Sequence, residues 1–458
     1  MIVPALDKEL GMSVYATDSA GIGGAIRKSA EDFLVEEILV DSSVARIENT
    51  NRKPALGASS SKQAFLLCVL VKRNWDTFSA IKNIAKHLGI DQKRICIGGI
   101  KDAKAVTSQH ITIQDVAVED LKKIRHKDIE VCPLGYFRND LSQFYLLGNQ
   151  FTINVTDIKL SEPTIKRRIA TTMKKLEEKG GIPNFFGHQR FGTIRAITHR
   201  VGKAIIKDRL QEAAMLFLAE PSPYEHPESA AAREALKRSS DFAQAFHDFP
   251  KQLRFERLML RYLAENPTDF AGAFQQLPFK LQVLFVQACQ SHIFNRFLSE
   301  RIQNGLPLNA AEIGDYVVHV DRSGLPMTKT GKLASEDKLT EINEAIRSGK
   351  MRVALPLVGF RQKLSEGQMG DLEARVMEED GVEPASFRVP EIPRISGPGD
   401  LRTVVSPIRD FKLEHFHQND ESGKTSKVKM SFMLLRGSYA TVLLRETMKP
   451  GDPLDAGF

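Results

Sequence analysis

Two apolar runs near the end of this 458-residue chain, Phe411 to Phe416 and Val428 to Leu435, constrain the fold more than any other feature, because little chain follows to cover them. Both have the composition and alternation of strands. A two-stranded hairpin is marginal in water by itself, so these strands must pair with strands laid down much earlier or stand exposed. The expectation is one sheet assembled from both ends of the chain, with the middle inserted between them. At this length roughly three domains or fewer are expected, with ample residues for a large core.

The remaining bounds concern environment and partners. With 42% hydrophobic and 26% charged residues the chain reads as a globular protein, and its net charge of +7 favours a polyanionic partner, nucleic acid first. Cys68, Cys96, Cys132 and Cys289 lie far apart in apolar runs, without a Cys-x-x-Cys pair or matching histidine spacing. They read as small buried hydrophobes in a reducing cytoplasm, not as a zinc site or a disulfide framework. Neither an export signal nor a membrane-spanning run is found. Cytoplasmic location follows as the expectation.

Along the chain, Gly21-Ile-Gly-Gly24 lacks the preceding strand of a dinucleotide-binding turn and reads as a glycine turn. A strand is expected around Phe33 and Val35, a polar loop from Asp41 to Lys62, and a second strand from Ala64 to Val71. Asp76 or Thr77 can cap a helix carrying Phe78, Ile81, Ala85 and Leu88 on one face, with Gly89 ending it. Arg94 to Ile97 and His110 to Ile113 read as strands. Between them runs Gly98-Gly-Ile-Lys-Asp-Ala-Lys-Ala-Val-Thr-Ser-Gln109, where a sheet hands its chain to a loop. Carboxylates lifted clear of a core at such points are candidates for chemistry, and Asp102 is the one here. Ser161 to Leu176 has helical spacing, with Ile165, Ile169, Met173 and Leu176 inward. The region from Arg195 to about Ala273 is mostly helical, Pro278 to Arg301 is one long helix, Gly314 to Gly331 a hairpin, and 360 to 385 acidic and helical, which together suggest a second domain with its own core. Gly423-Lys-Thr425 ends like a phosphate-binding loop but has Gln418 where that loop needs glycine.

Several of these stretches together resemble the TruD family of tRNA pseudouridine synthases. Gly99, Lys101, Asp102, Ala105, Thr107 and Gln109 fill the family's Gly-x-Lys-Asp-x-x-Ala-x-Thr-x-Gln string. Arg27 with Glu31-Asp-Phe-Leu-Val-Glu-Glu37 resembles its opening motif, and Gly148-Asn149-Gln-Phe151 its Gly-Asn-x-Phe. Pro183-Asn-Phe-Phe-Gly-His-Gln-Arg-Phe-Gly192 matches a further string, Ser291 to Asn295 resembles Ser-x-x-Phe-Asn, and Gly437 to Glu446 resembles the C-terminal motif. The resemblance implies an α+β fold: a pseudouridine synthase catalytic domain with a mixed, largely antiparallel sheet, interrupted by an α/β insertion domain. Mapped here, the catalytic domain is discontinuous, residues 1–183 plus 396–458, and the insertion is 184–395. The implied reaction is isomerisation of uridine to pseudouridine at position thirteen of tRNA. Asp102 is then the catalytic residue, and Arg27, Lys101, Gln109, Asn149, Phe151, Asn184, Gln189 and Arg190 are substrate-binding.

The chemistry asks for little else. A carboxylate attacks either the uracil ring or the ribose anomeric carbon, and the freed base rotates and reattaches through carbon. No electron moves, so no cofactor and no metal is expected. The needs are an extruded base, a stacking face such as Phe151, and nearby cations, Arg27 or Lys101, to keep the aspartate ionised. For Phe151 a core position in an alternating strand is the competing expectation. The partner is tRNA, the chain a monomer, and no membrane is involved. An RNA-binding or RNA-folding protein without chemistry is the alternative; it needs the basic cleft and can dispense with Asp102. A methyltransferase fits less well, since no glycine-rich cofactor loop follows a strand.

Overall fold

The computed structural model describes residues 2–48, 54–192, 194–418 and 426–458. Residues 49–53 of the expected polar loop and Gly423 to Thr425 lie outside the described residues.

In chain order the early strands are β1 (Phe33–Leu39), β2 (Phe65–Arg73), β3 (Ile95–Ile97), β4 (Val106–Gln114), β5 (Ile129–Phe137) and β6 (Leu146–Ile158). They are followed by β7 (Ile182–Pro183), β8 (Tyr316–Val320), β9 (Pro326–Leu333) and β10 (Met351–Leu357), and then by β11 (Asp400–Thr403), β12 (Val405–Ser406), β13 (Ile408–Gln418) and β14 (Ser426–Leu435). One sheet has eight strands in the order β13-β14-β6-β1-β4-β2-β5, with β3 on β4. Among the described residues only β1 and β4 run parallel in it. The late strands join the early ones through β14, which pairs with β6. Phe432 and Met430 on β14 lie opposite Phe151 and Ile153 on β6, and all four are buried in one core. Burying those side chains, worth about 1.5 to 3 kcal/mol each, is what draws the C-terminal segment back to the sheet.

The helices before the middle region are α1 (Ala5–Glu9), α2 (Thr77–Leu88) and α3 (Glu162–Glu178). In α2 the Asp76 carboxylate accepts from the Ser79 amide at 2.9 Å, and Gly89 closes the helix in the left-handed conformation. Its buried face is Ala80, Ile81, Ile84 and Ala85, packed on Leu66, Cys68 and Leu70 of β2 and on Ile111 and Ile113 of β4. Phe78, expected on that face, is 49% exposed. One residue past the start of the helix, it falls outside the stripe that Ala80, Ile84 and Ile81 define.

The middle contains α4 (Thr198–Ile206), α5 (Leu210–Ala219), α6 (Pro227–Ser239), α7 (Phe242–Asp248), α8 (Arg254–Glu265), α9 (Phe270–Gln275) and α10 (Phe279–Gln303). It continues through an antiparallel sheet, β11-β10-β8-β9, whose first member lies beyond residue 395, with α11 (Leu339–Arg347) and α12 (Gly367–Asp380) beside it. The expectation of a separate core is corrected here. One apolar cluster runs from Phe33, Phe151 and Ile153 through Phe185 and Phe186 to Val201, Phe285, Phe294 and Val353. The long helix α10 mediates this, since it buries apolar side chains around much of its circumference. The chain closes with α13 (Ala440–Met448), also in this core. Among the described residues no helix is long and apolar enough to cross a membrane.

Candidate active site

The loop carrying Asp102 owes its position to how strands share β4. β1 pairs with Val106 to Ser108 and β3 with Ile111 to Ile113, both along one edge, so the chain between them must cross from β3 back to the start of β4. At the gap, the His110 amide donates to the Glu37 carboxylate at 2.9 Å instead of to a backbone carbonyl. Gln109, buried in β4, donates from Nε2 to the Gly99 carbonyl at 3.0 Å and ties the loop down.

Asp102 itself is 30% exposed, and its Oδ1 lies 3.1 Å from Nη2 of Arg27. The Arg27 backbone is left-handed, φ 57°, a conformation costing a non-glycine residue about 1 to 3 kcal/mol. Its guanidinium lies 4.0 Å above the Phe33 ring and donates from Nη1 to the Gly457 carbonyl at 3.1 Å. Burial lowers the Arg27 pKa, and the Asp102 carboxylate opposes that shift. Of the two cations expected beside the aspartate, Arg27 takes the carboxylate.

Lys101 turns the other way. Its Nζ is 2.6 Å from Glu37 Oε2 and 2.7 Å from Asn149 Oδ1, and Glu37 and Asn149 face each other directly across β1 and β6. Burial pushes the Glu37 carboxyl up, but Lys101 and His110 outweigh it and hold the group below its ordinary value. The Asn149 amide is thereby oriented by an ion pair that is almost fully buried. Gly148 is required one residue earlier, because a Cβ there would lie 2.2 Å from the Leu434 carbonyl oxygen of β14.

Phe151 is 5% exposed, stacked on Phe432 with ring centroids 5.5 Å apart and edge-on to Phe33 at 6.2 Å. In this structure its surroundings are those of a core residue.

Behind the loop stands a residue that the sequence motifs do not single out. Lys72, fully buried at the end of β2, donates to the carbonyls of Asp102 at 2.6 Å and Trp75 at 2.7 Å, with that of Lys101 at 3.5 Å. Burial depresses its ammonium to about 8, with Asp102 pulling the other way. Thr77 Oγ1, at the start of α2, also bridges the Lys101 amide and carbonyl, at 3.1 and 3.3 Å. Glu37 is likewise missed as a site residue. Both are signalled by parity: Lys72 shares its strand face with Leu66, Cys68 and Leu70, and Glu37 with Phe33 and Val35.

Asn184, Gln189 and Arg190 form a second group. Asn184 donates to the Thr403 carbonyl at 3.1 Å and accepts from Arg402 at its backbone oxygen, 2.9 Å, and at Oδ1, 2.7 Å. Gln189 Oε1 accepts from Thr441 Oγ1 at 3.3 Å. Arg190 donates to Ser291 Oγ at 3.0 Å and to Gln287 Oε1 at 3.3 Å. Asn295, buried in α10, clamps the segment by accepting from the Phe186 amide at 2.8 Å and donating to its carbonyl at 3.0 Å. Among the described residues no hydrogen bond or ion pair directly joins this group to Asp102, Arg27, Lys101 and Asn149.

Comparison with known proteins agrees with these motifs. The family model described as tRNA pseudouridine synthase D (TruD) matches residues 9–447. The chain is 39% identical to the probable tRNA pseudouridine synthase D of Methanosarcina acetivorans over 99% of both chains. It is 35% identical to that of Pyrococcus abyssi, covering 95% of this chain and 98% of the relative. The crystal structure of TruD from Methanosarcina mazei superposes with a TM-score of 0.81 at 36% identity, covering 98% of this chain and 99% of that one. The chain belongs to the TruD family of tRNA pseudouridine synthases.

Proposed function

We propose that this chain isomerises uridine to pseudouridine in tRNA, at position thirteen, with Asp102 as the nucleophile. The observation that carries the reading is the Asp102 carboxylate. It is partly exposed, held at a strand-to-loop junction by Lys72 and Thr77 through the backbone, and faced by the Arg27 guanidinium at 3.1 Å. That is the arrangement a positioned nucleophile needs: an open oxygen and a fixed backbone.

In the reaction the carboxylate adds to the uracil ring or to the anomeric carbon of the ribose, and the bond from the ribose to N1 breaks. The base turns, C5 bonds to the anomeric carbon, the Asp102 carboxylate leaves the carbon it had added to, the C5 proton leaves to solvent and N1 takes one up, so the atoms balance without a co-reactant. Arg27 serves as counter-charge to Asp102 before attack and again once the carboxylate is released. Lys101, Glu37 and Asn149 form a rigid polar wall beside it, with the Asn149 amide available to the edge of an extruded base. Asn184, Gln189 and Arg190 bind RNA farther along.

The test is release of tritium from C5-labelled uridine in tRNA on incubation with the protein. Asp102→Asn keeps the shape and removes the nucleophile, so turnover should fall below detection while tRNA affinity is retained. Pseudouridine formation by that variant at a rate near the parent's would sink the assignment and leave an RNA-binding protein on this fold.

A further inference from the structure

The second group contains an arrangement that the reaction does not use. Arg402 on β11 lies with its guanidinium carbon 3.9 Å from the centroid of the Phe186 ring, and Arg190 lies 5.5 Å from the same centroid. Both are fixed by neutral acceptors: Arg402 by the backbone and side-chain oxygens of Asn184 and by the Gly437 carbonyl at 2.8 Å, Arg190 by Ser291 and Gln287. Among the described residues no carboxylate pairs with either. Burial lowers both pKa values, that of Arg402 to about 10; Tyr439 beside them opposes the shift in both, and Arg190 adds to it in Arg402.

Two like charges held half-buried on one aromatic ring, without a counter-ion, are unfavourable in the free protein. If Arg402 only clipped Asn184 to Gly437, Nε and one Nη would suffice and the charge would be a liability. The cost is relieved when an anion supplies the missing charge. Guanidinium forks match phosphate oxygens geometrically, and rigid forks lose little entropy on binding.

We propose that Arg402 and Arg190, levelled by Phe186, form a receptor for a phosphodiester of the bound RNA. The inference rests on the function proposed above and names the interaction that sets the strand's register. Its place in the fold fits that task. Gly437, whose carbonyl holds Arg402, lies three residues beyond Leu434, and Leu434 is opposite Asn149. Three residues of extended chain span about 10 Å, so the receptor is close to the wall that Asn149 and Lys101 build beside Asp102.

The experiment measures tRNA affinity against salt concentration for the parent, Arg402→Gln, Arg402→Lys and the double variant Arg190→Gln/Arg402→Gln, with melting temperature as the check on folding. Removing one cation from a phosphate should make the slope of log affinity against log salt shallower by about one. Both cations serve one phosphate, so the expected change is about one for the double variant and no more than that for Arg402→Gln, with the slope retained and affinity reduced in Arg402→Lys. As a second measurement independent of any variant's folding, tRNAs carrying one neutral methylphosphonate at linkages flanking the target uridine are bound to the parent. One or two linkages should lose affinity, and the loss should shrink with folded Arg402→Gln and vanish with the folded double variant. A folded double variant with the parental salt slope, or a parent indifferent to every neutralised linkage, overturns the receptor while leaving the proposed function standing. A parent that does not bind tRNA at all removes both.

Discussion

The Phe151 ring has aromatic neighbours on both sides, Phe432 from β14 and Phe33 from β1, so leucine there tests packing against stacking with little change in volume. Phe151→Leu should lower the melting temperature, since it gives up two aromatic pairings worth about 1 kcal/mol each, while folded protein keeps most of its turnover. An unchanged melting temperature with poor activity would instead assign the ring to the substrate. Lys72 makes the opposite prediction. Lys72→Met leaves the Asp102 and Trp75 carbonyls without their donor, at about 1 to 3 kcal/mol for an unsatisfied buried group, and frees the loop. Turnover should drop at least tenfold with tRNA affinity preserved; a folded variant with parental turnover would show that Lys72 does not position the loop. What makes Asp102, Asn149 and Asn184 legible is that their types recur in short strings. Lys72 and Arg402 stand outside such strings, and only their places in strands bring them to the site.

Among the elements, α12 carries a carboxyl whose ionisation the fold resists. Glu373 accepts from the Ser365 amide at 2.7 Å and from Ser365 Oγ at 2.8 Å, yet burial, aided by Asp315, pushes it up to about 8 from an ordinary 4.5. The folded state therefore holds this proton over a pH range in which the unfolded chain has released it. Stability should fall by about 1.4 kcal/mol per pH unit from this group between its two pKa values, and fall no further above the upper one. Glu373→Gln removes the effect, so the variant's stability relative to the parent should rise steadily in denaturant titrations from about pH 5 to 8. A difference that does not change with pH would refute the assignment. Strong local signals make most elements readable: the Asp76 cap and Gly89 stop of α2, and the spacing of α3, whose Ile165, Ile169 and Leu176 are buried. Phe78 escapes such a reading because hydrophobicity alone does not say where, past a cap, a helix stripe begins. The separate core expected for the middle region fails for a related reason. Periodicity shows that α10 buries its side chains but not which element they are buried against.

At the scale of the whole molecule, we propose that residues 1–183 and 396–458 form one catalytic unit interrupted by 184–395. Cutting the chain after Ile395 tests it. The cut removes β14, so β6 becomes an exposed edge from Gly148 to Ile158, and Phe151, Ile153 and Val155 lose their cover from Val428, Met430 and Phe432. It also removes Arg445, whose Nε lies 2.5 Å from the buried Asp7 carboxylate, and Glu446, which accepts from the Ala16 amide at 2.9 Å. Among the described residues the Asp7 carboxylate would keep only His188, at 2.7 Å, and breaking a buried pair from one side costs about 3 to 5 kcal/mol. Together with the apolar burial forfeited at the sheet, this exceeds the margin of about 5 to 15 kcal/mol by which proteins are ordinarily stable. The chain ending at Ile395 should therefore be insoluble or molten, without a cooperative melting transition and without turnover. Adding residues 396–458 back as a separate chain should restore some soluble, folded material, because the strands that β6 lacks are then available. If the truncated chain instead proves soluble, melts cooperatively and modifies tRNA, the two-ended unit is ruled out and the C-terminal strands form a module of their own.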